Sequence, residues 1–215
     1  MKWTATICRP LPLVALALAG CAAAPALRVY TLAASPASSD AAMTAAAPSP
    51  LAGAPVIEIA RVSVPDSVDS RDLVLRQGDR LERSSTARWA SRLSVATTDL
   101  LTARLAMRRP DAWVTDQPQA RTPDYRLLVH ISQLDITNTG TGTVVAVWEI
   151  VPHDACEAVI RHRSQFTMSA AIGTDERVAH FERLLLERLA SDIDISSLHQ
   201  GPGKCPISGP ATGAR

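Results

Sequence analysis

The sequence has no long basic run, no apolar stretch of membrane-spanning length, and few cysteines. Its 22 basic and 21 acidic residues leave a net charge of +1. A near-neutral chain has no general electrostatic pull on nucleic acid or anionic lipid, and nucleic acid is not an expected partner. The apolar run from Leu11 to Gly20 falls well short of the roughly 20 residues that cross a bilayer. GxSxG, HExxH and Walker A patterns are missing. Gly201-Pro202-Gly203-Lys204 shares letters with a phosphate loop but lacks the following Ser or Thr and the strand–loop–helix setting. No CxxC or HxxxH spacing accompanies the cysteines, which argues against a metal site. No cofactor is expected.

What is present begins with a leader. Lys2 and Arg9 precede a short run of Leu, Val and Ala, and Leu18-Ala19-Gly20 stands directly before Cys21. A positive start, a short apolar core and small residues before a cut describe a secretory signal over residues 1–20. The Leu-Ala-Gly-Cys ending resembles the bacterial lipobox. That resemblance implies cleavage before Cys21 and lipidation of its sulfur with palmitate-type acyl chains, whereas an ordinary signal peptide would leave a bare thiol. Bacterial lipoproteins typically carry three chains, where a single chain holds only marginally. Ala22, rather than Asp, follows the cysteine, which by analogy with enteric bacteria favours the outer membrane. Without Lys2 and Arg9 the net charge becomes −1. Cys8 leaves with the leader, so Cys156 and Cys205 remain in a disulfide-permissive compartment. A bridge would close a loop of about 50 residues and contribute roughly 4 kcal/mol in the chain-entropy model. The other reading is two unpaired thiols.

Periodicity divides the rest. Residues 21–55 hold the lipidated end, a short strand at Leu27–Leu32 and an Ala/Pro/Ser-rich linker from Ala33 to Pro55. Residues 56–196 form the body. Val56–Val64 alternates as a strand stopped by Pro65. Leu73–Arg76 and Arg80–Arg83 flank Gly78 as a hairpin. Ser84, Ser85 and Thr86 are candidate N-caps for a helix over Ala87–Met107, with Trp89, Leu93, Ala96, Leu100 and Ala103 on its apolar stripe. Pro110 closes that helix, and Ala112–Thr115 is a short strand. Tyr125–Ile136, Thr143–Val151 and Glu157–Met168 read as a three-stranded meander. Thr174 caps a second helix with Val178, Phe181, Leu185 and Leu189 buried and an Arg183–Glu187 pair on the solvent face. Residues 197–215 are a Gly- and Pro-rich tail. The expected fold is α+β: an antiparallel sheet of about six strands with two amphipathic helices on one face.

Little of this looks catalytic, and the expectation is a non-enzymatic protein. His153, Asp154 and Cys156 are close enough in sequence for a metal or nucleophile site, but an exposed turn ending in a structural cysteine accounts for them. Arg161-His162-Arg163 offers either a partner-binding patch or a solvated strand face. Trp89 is ordinary core if it sits on the apolar stripe, and its neighbour Arg88 is free to pair with an acid or reach a partner.

The order of these pieces resembles the PqiC-like family of ABC-type transport auxiliary lipoproteins, also called paraquat-inducible and associated with MCE-domain proteins. The resemblance lies in the lipobox cysteine, Tyr30-Thr31-Leu32 soon after it, and a strand ending in Val64-Pro65. Arg71 before Leu73-Val74-Leu75-Arg76 follows, then Arg88-Trp89-Ala90 opening the helix with Leu93 after it. It departs at Ser91-Arg92, where the family often has an acidic-Pro pair, and in the long linker. It implies a docking subunit at the periplasmic face of the outer membrane. Its partner would be an MCE-domain protein linked to an inner-membrane permease, in a system that carries lipids between membranes and supports envelope integrity. The family reading also allows a homo-oligomer around the tip of the MCE tube. The alternative is a scaffold lipoprotein for another outer-membrane or cell-wall assembly machine.

Overall fold

The structure, a computed structural model, describes residues 26–33, 53–196 and 198. Among the described residues, eight strands and two helices follow one another. They are β1 (Arg28–Tyr30), β2 (Val56–Ile59), β3 (Asp72–Gln77), β4 (Arg80–Trp89), α1 (Leu93–Arg108), β5 (Trp113–Thr115), β6 (Tyr125–Ile136), β7 (Thr141–Pro152), β8 (Ile160–Ser169) and α2 (Asp175–Asp192). The strands form a three-stranded sheet in the order β1-β4-β3 and a five-stranded sheet in the order β5-β2-β6-β7-β8. The fold is α+β, as expected, but both sheets are mixed. β1 runs parallel to β4, and β2 runs parallel to both β5 and β6. Alternation of apolar residues identifies a strand without naming its partner. The long excursions between β1 and β4 and between β2 and β6 permit the parallel pairings that short turns forbid.

The meander is the backbone of the larger sheet. Tyr125, Leu127, Val129 and Ile131 of β6 are buried while Arg126, Leu128 and His130 between them are exposed. The register places Val129 beside Trp148 and Leu127 beside Ile150, so the apolar residues of β6 and β7 share one face. Both helices cover that face. Gly142 on β7 marks the closest approach: a Cβ there would lie 2.6 Å from Leu185 Cδ1 and 2.9 Å from Phe181 Cε1. Gly140, at φ +85°, makes the hairpin turn itself, so the two glycines of one turn motif have different reasons.

Three local expectations are corrected. The alternation of Val56–Val64 breaks in the middle. Ile57 and Ile59 are buried, and so are Val62 and Val64, which shifts the phase by one residue. The backbone shows why: Ala60 N–H donates to Leu127 O, and the next such bond runs from Ser63 N–H to Val129 O, so three residues on one side match two on the other. This is bulge geometry. Val62 N–H, displaced from the ladder, donates instead to Thr98 Oγ1 on α1 at 3.0 Å.

The first helix begins later than its periodicity suggests. Residues 84–89 continue β4, and Ser84, Ser85 and Thr86 cap nothing; Thr86 Oγ1 donates to Asp175 Oδ2 at the start of α2. Trp89 therefore lies on a strand, and Ala103 is exposed. Trp89 and Leu93 are both buried in the same core, and spacing alone cannot separate a strand end from the helix that follows it. The cap of α1 comes from far away in sequence: Asp69 Oδ1 accepts from Ser94 N–H at 3.0 Å.

The expected Arg183–Glu187 pair is replaced. Glu187 binds Arg104 of α1. Arg183 Nη2 donates to His180 Nδ1 at 2.8 Å. The C-terminal ends of the helices lie side by side. Arg108 Nη1 donates to the carbonyls of Ala190 and Ile193, each at 2.9 Å, and Arg109 reaches Ile195 O. The Ala190 and Ile193 carbonyls are among those a helix end leaves unsatisfied, at the negative end of its dipole. The two sheets are tied by the Arg76–Asp135 ion pair at 2.7 Å and by Asn138 N–H donating to Arg76 O at 3.0 Å.

Candidate functional site: the junction around Trp89

Tyr30, Leu32, Pro65, Arg71, Trp89, Ala90 and Leu93, described residues that carry the sequence resemblance, converge on one place. Pro65 O accepts from Val68 and Asp69 N–H at 3.0 Å and starts a tight loop. That loop delivers Ser70 and Arg71 to the end of β4. Trp89 N–H donates to Arg71 O at 2.6 Å, and Arg71 Nε returns a bond to Trp89 O at 3.2 Å. Ala90 N–H donates to Tyr30 O at 2.7 Å, and Leu93 N–H to Ser70 O at 3.0 Å. Thus β1, the Pro65–Arg71 loop, the end of β4 and the start of α1 are locked together through backbone groups. Leu32, Trp89 and Leu93 are buried beneath the junction. Arg88 is on the exposed side, 3.6 Å from Asp72, which also holds Arg83 at 2.6 Å.

The buried side has one residue that sequence reasoning missed. Glu182 of α2 is fully enclosed, and burial pushes its carboxyl up to about 8. The Trp89 indole N–H faces it and offsets this in part, although the indole nitrogen makes no hydrogen bond of regular geometry. A signal existed. Glu182 falls between Phe181 and Leu185, four residues after Val178, on the stripe already identified as buried. A carboxyl in that position is held neutral at pH 7. Asp69 offered no such signal, since its partner is 25 residues away.

Among the surface cavities of the described residues, two are the larger. One, of about 220 Å³, is lined by Tyr30, Thr31, Glu176, Ala179, His180 and Arg183, where β1 meets α2. The other, of about 590 Å³, lies under residues 116–123, with Ile59, Ala60 and Leu128 among its apolar lining and Arg61, Arg121 and Arg126 among its charges. Neither is lined by a serine or a cysteine. Cys156 is disulfide-bonded, so it is not the free thiol that a nucleophile with His153 would need. Its partner, Cys21 and Cys205 lie outside the described residues, as do the leader, most of the linker and all of the tail but Leu198. On the outer sheet face Arg161 is engaged with Glu149 at 2.7 and 3.1 Å, while His162, on the other face, stacks on Trp148 at 4.7 Å between ring centroids. Among the described residues no helix is long and apolar enough to cross a membrane.

Comparison with known proteins bears on this arrangement. A crystal structure of an uncharacterized protein superposes with a TM-score of 0.56 at 18% identity, covering 79% of this chain and 99% of the other. Protein XCC0632 from Xanthomonas campestris, of the DUF330 family, superposes with a TM-score of 0.50 at 13% identity, covering 64% and 79%. At such identities the likeness concerns the fold alone. No curated protein matches the sequence. The family model described as "ABC-type transport auxiliary lipoprotein component" matches residues 30–194, from the last residue of β1 to just past the end of α2. The chain belongs to the ABC-type transport auxiliary lipoprotein family.

Proposed function

We propose that the protein is anchored through acyl chains on Cys21 at the periplasmic face of the outer membrane. There it serves as a non-enzymatic docking subunit of an MCE-type ABC system that moves lipids between membranes. The observation that carries this reading is the family match across the folded body, from Tyr30 to Asp194. The lipobox at Leu18–Cys21 supports the anchor. The junction around Trp89 supports a non-catalytic role: its hydrogen bonds are spent on bracing backbone segments, and its one unusual carboxyl is sealed from solvent. The energy for transport would come from an ATPase subunit. Removal of Cys8 with the leader and acylation of Cys21 leave Cys205 as the partner of Cys156, which would pin the tail to the body.

Envelope fractionation of the native protein and Cys21→Ser tests the anchor and its placement. The native protein is expected in outer-membrane fractions with an acylated N-terminal cysteine by mass spectrometry, and Cys21→Ser in the soluble periplasm. A native protein recovered with a bare thiol in the soluble fraction would refute the reading.

A further inference from the structure

Among the described residues β1 is an edge strand, paired with β4 alone in the smaller sheet. It is short, and its flank is unusually apolar for an exposed edge. Leu27 is 50% exposed and Val29 58%. Residues two apart on an extended chain point the same way, so these side chains form one small apolar ridge. Arg28 lies between them, exposed. Arg88 stands beside Val29 in the register and adds a second cation, shared with Asp72. The other exposed large apolar residues among those described, Met107, Trp113, Leu128 and Val159, lie in separate segments of the chain.

Chain length decides what this ridge can meet. Leu27 follows Cys21 by six residues. A chain spans at most about 3.6 Å per residue, so Leu27 cannot lie more than about 20 Å from the acylated cysteine. A body of this size has a radius of gyration of about 15 Å and is therefore roughly 40 Å across. A tether shorter than that width holds one end of the body to the bilayer, and the end it holds is the β1 edge.

We infer that the β1 edge docks on the phospholipid headgroup layer through Leu27, Arg28 and Val29, fixing how the domain stands on its membrane. The inference rests on the acylation of Cys21 proposed above. Leu27 and Val29 enter the boundary between headgroups and acyl chains, and the Arg28 guanidinium, on the opposite side of the strand, binds lipid phosphate at the headgroup level. Two aliphatic side chains would not recruit a free domain, since even one acyl chain binds marginally. They suffice once the anchor has turned docking into an intramolecular event at high effective concentration. The consequence is an oriented subunit rather than one tumbling on a leash.

The test uses full-length acylated protein in vesicles of phosphatidylethanolamine and phosphatidylglycerol. Nitroxide labels are placed through Val29→Cys or Met107→Cys. Met107 is 73% exposed and lies fourteen residues along α1 from Leu93, about 21 Å of helix away from the junction. Collision rates with oxygen, which partitions into lipid, and with a water-soluble nickel chelate are measured by power saturation. The expected result is an oxygen-to-nickel ratio several-fold higher at Val29→Cys than at Met107→Cys, falling to the same value when Cys21→Ser releases the protein. Equal ratios on protein that floats with the vesicles would overturn the docking while leaving the anchor intact. So would strong dipolar broadening between Val29→Cys labels, which would mean that the edge pairs with a second copy. Protein that fails to float would overturn the anchor and the docking together.

Discussion

Glu182 of α2 faces the indole of Trp89 inside the core. The carboxyl is pushed up to about 8 from an ordinary 4.5 by burial. Unfolding at pH 7 therefore releases a proton, and the folded state binds more protons than the unfolded one between these two values. Stability is fully present below about 4.5 and declines as pH rises toward about 8, by an amount on the order of a few kcal/mol. Denaturation of the wild type at a series of pH values should show this fall. Glu182→Gln keeps the shape and the carbonyl that faces Trp89, so it should flatten the profile and be more stable than the wild type above pH 8. A parallel decline in the variant would show that the slope has another source.

Asp69 acts on α1 from a loop that precedes β3. Asp69→Ala removes the acceptor for Ser94 N–H and should cost about 1 kcal/mol, the usual loss for a missing cap. Asp69→Asn keeps an oxygen in the same place. It gives up only the 3.8 Å pairing with exposed Arg92, which contributes close to nothing. Chemical denaturation should therefore separate Ala from Asn, and equal losses would show that the charge rather than the cap matters.

Gly142→Ala should be destabilising although its backbone conformation suits any residue. The added methyl would press on Phe181 and Leu185, and overpacking of this kind costs about 1–3 kcal/mol. Pairing it with Leu185→Ala makes room beside β7, so the double variant should fall short of the sum of the two single losses. Simple additivity in thermal or urea unfolding would contradict the proposed contact.

Arg108 holds the last carbonyls of α2 from the end of α1. Arg108→Ala should cost about 1–3 kcal/mol through the loss of charge-assisted hydrogen bonds. Amide exchange should speed up near residues 190–195 before the rest of α2. Arg108→Lys keeps the charge without the forked geometry and should lie between the two. Uniform exchange across α2 in the alanine variant would place the effect elsewhere.

How far the sequence reveals all this depends on the range of the interaction. The β6–β7–β8 meander was legible because Leu127, Val129, Trp148 and Ile150 alternate locally and short turns fix their partners. The second helix was legible because Thr174 and the Val178–Leu189 stripe lie in one segment. What sequence could not supply is long-range. The parallel pairing of β2 with β6 leaves no mark on either segment. The start of α1 is set by Asp69, not by Ser84–Thr86, and the Arg104–Glu187 pair joins residues 83 positions apart. The motif residues Tyr30, Pro65, Arg71, Trp89 and Leu93 were visible singly. Only the fold shows that they meet and that the indole covers a buried acid.

The most direct test of the account is to recover the acylated protein from native envelopes after brief cross-linking and identify what comes with it. A lipid-anchored auxiliary subunit should bring down components of an ABC transporter, an MCE-type protein foremost among them, and lose them when it is freed from the membrane by Cys21→Ser. Recovery of abundant, membrane-bound protein with no transporter component, or with a cell-wall or outer-membrane assembly machine instead, would contradict it.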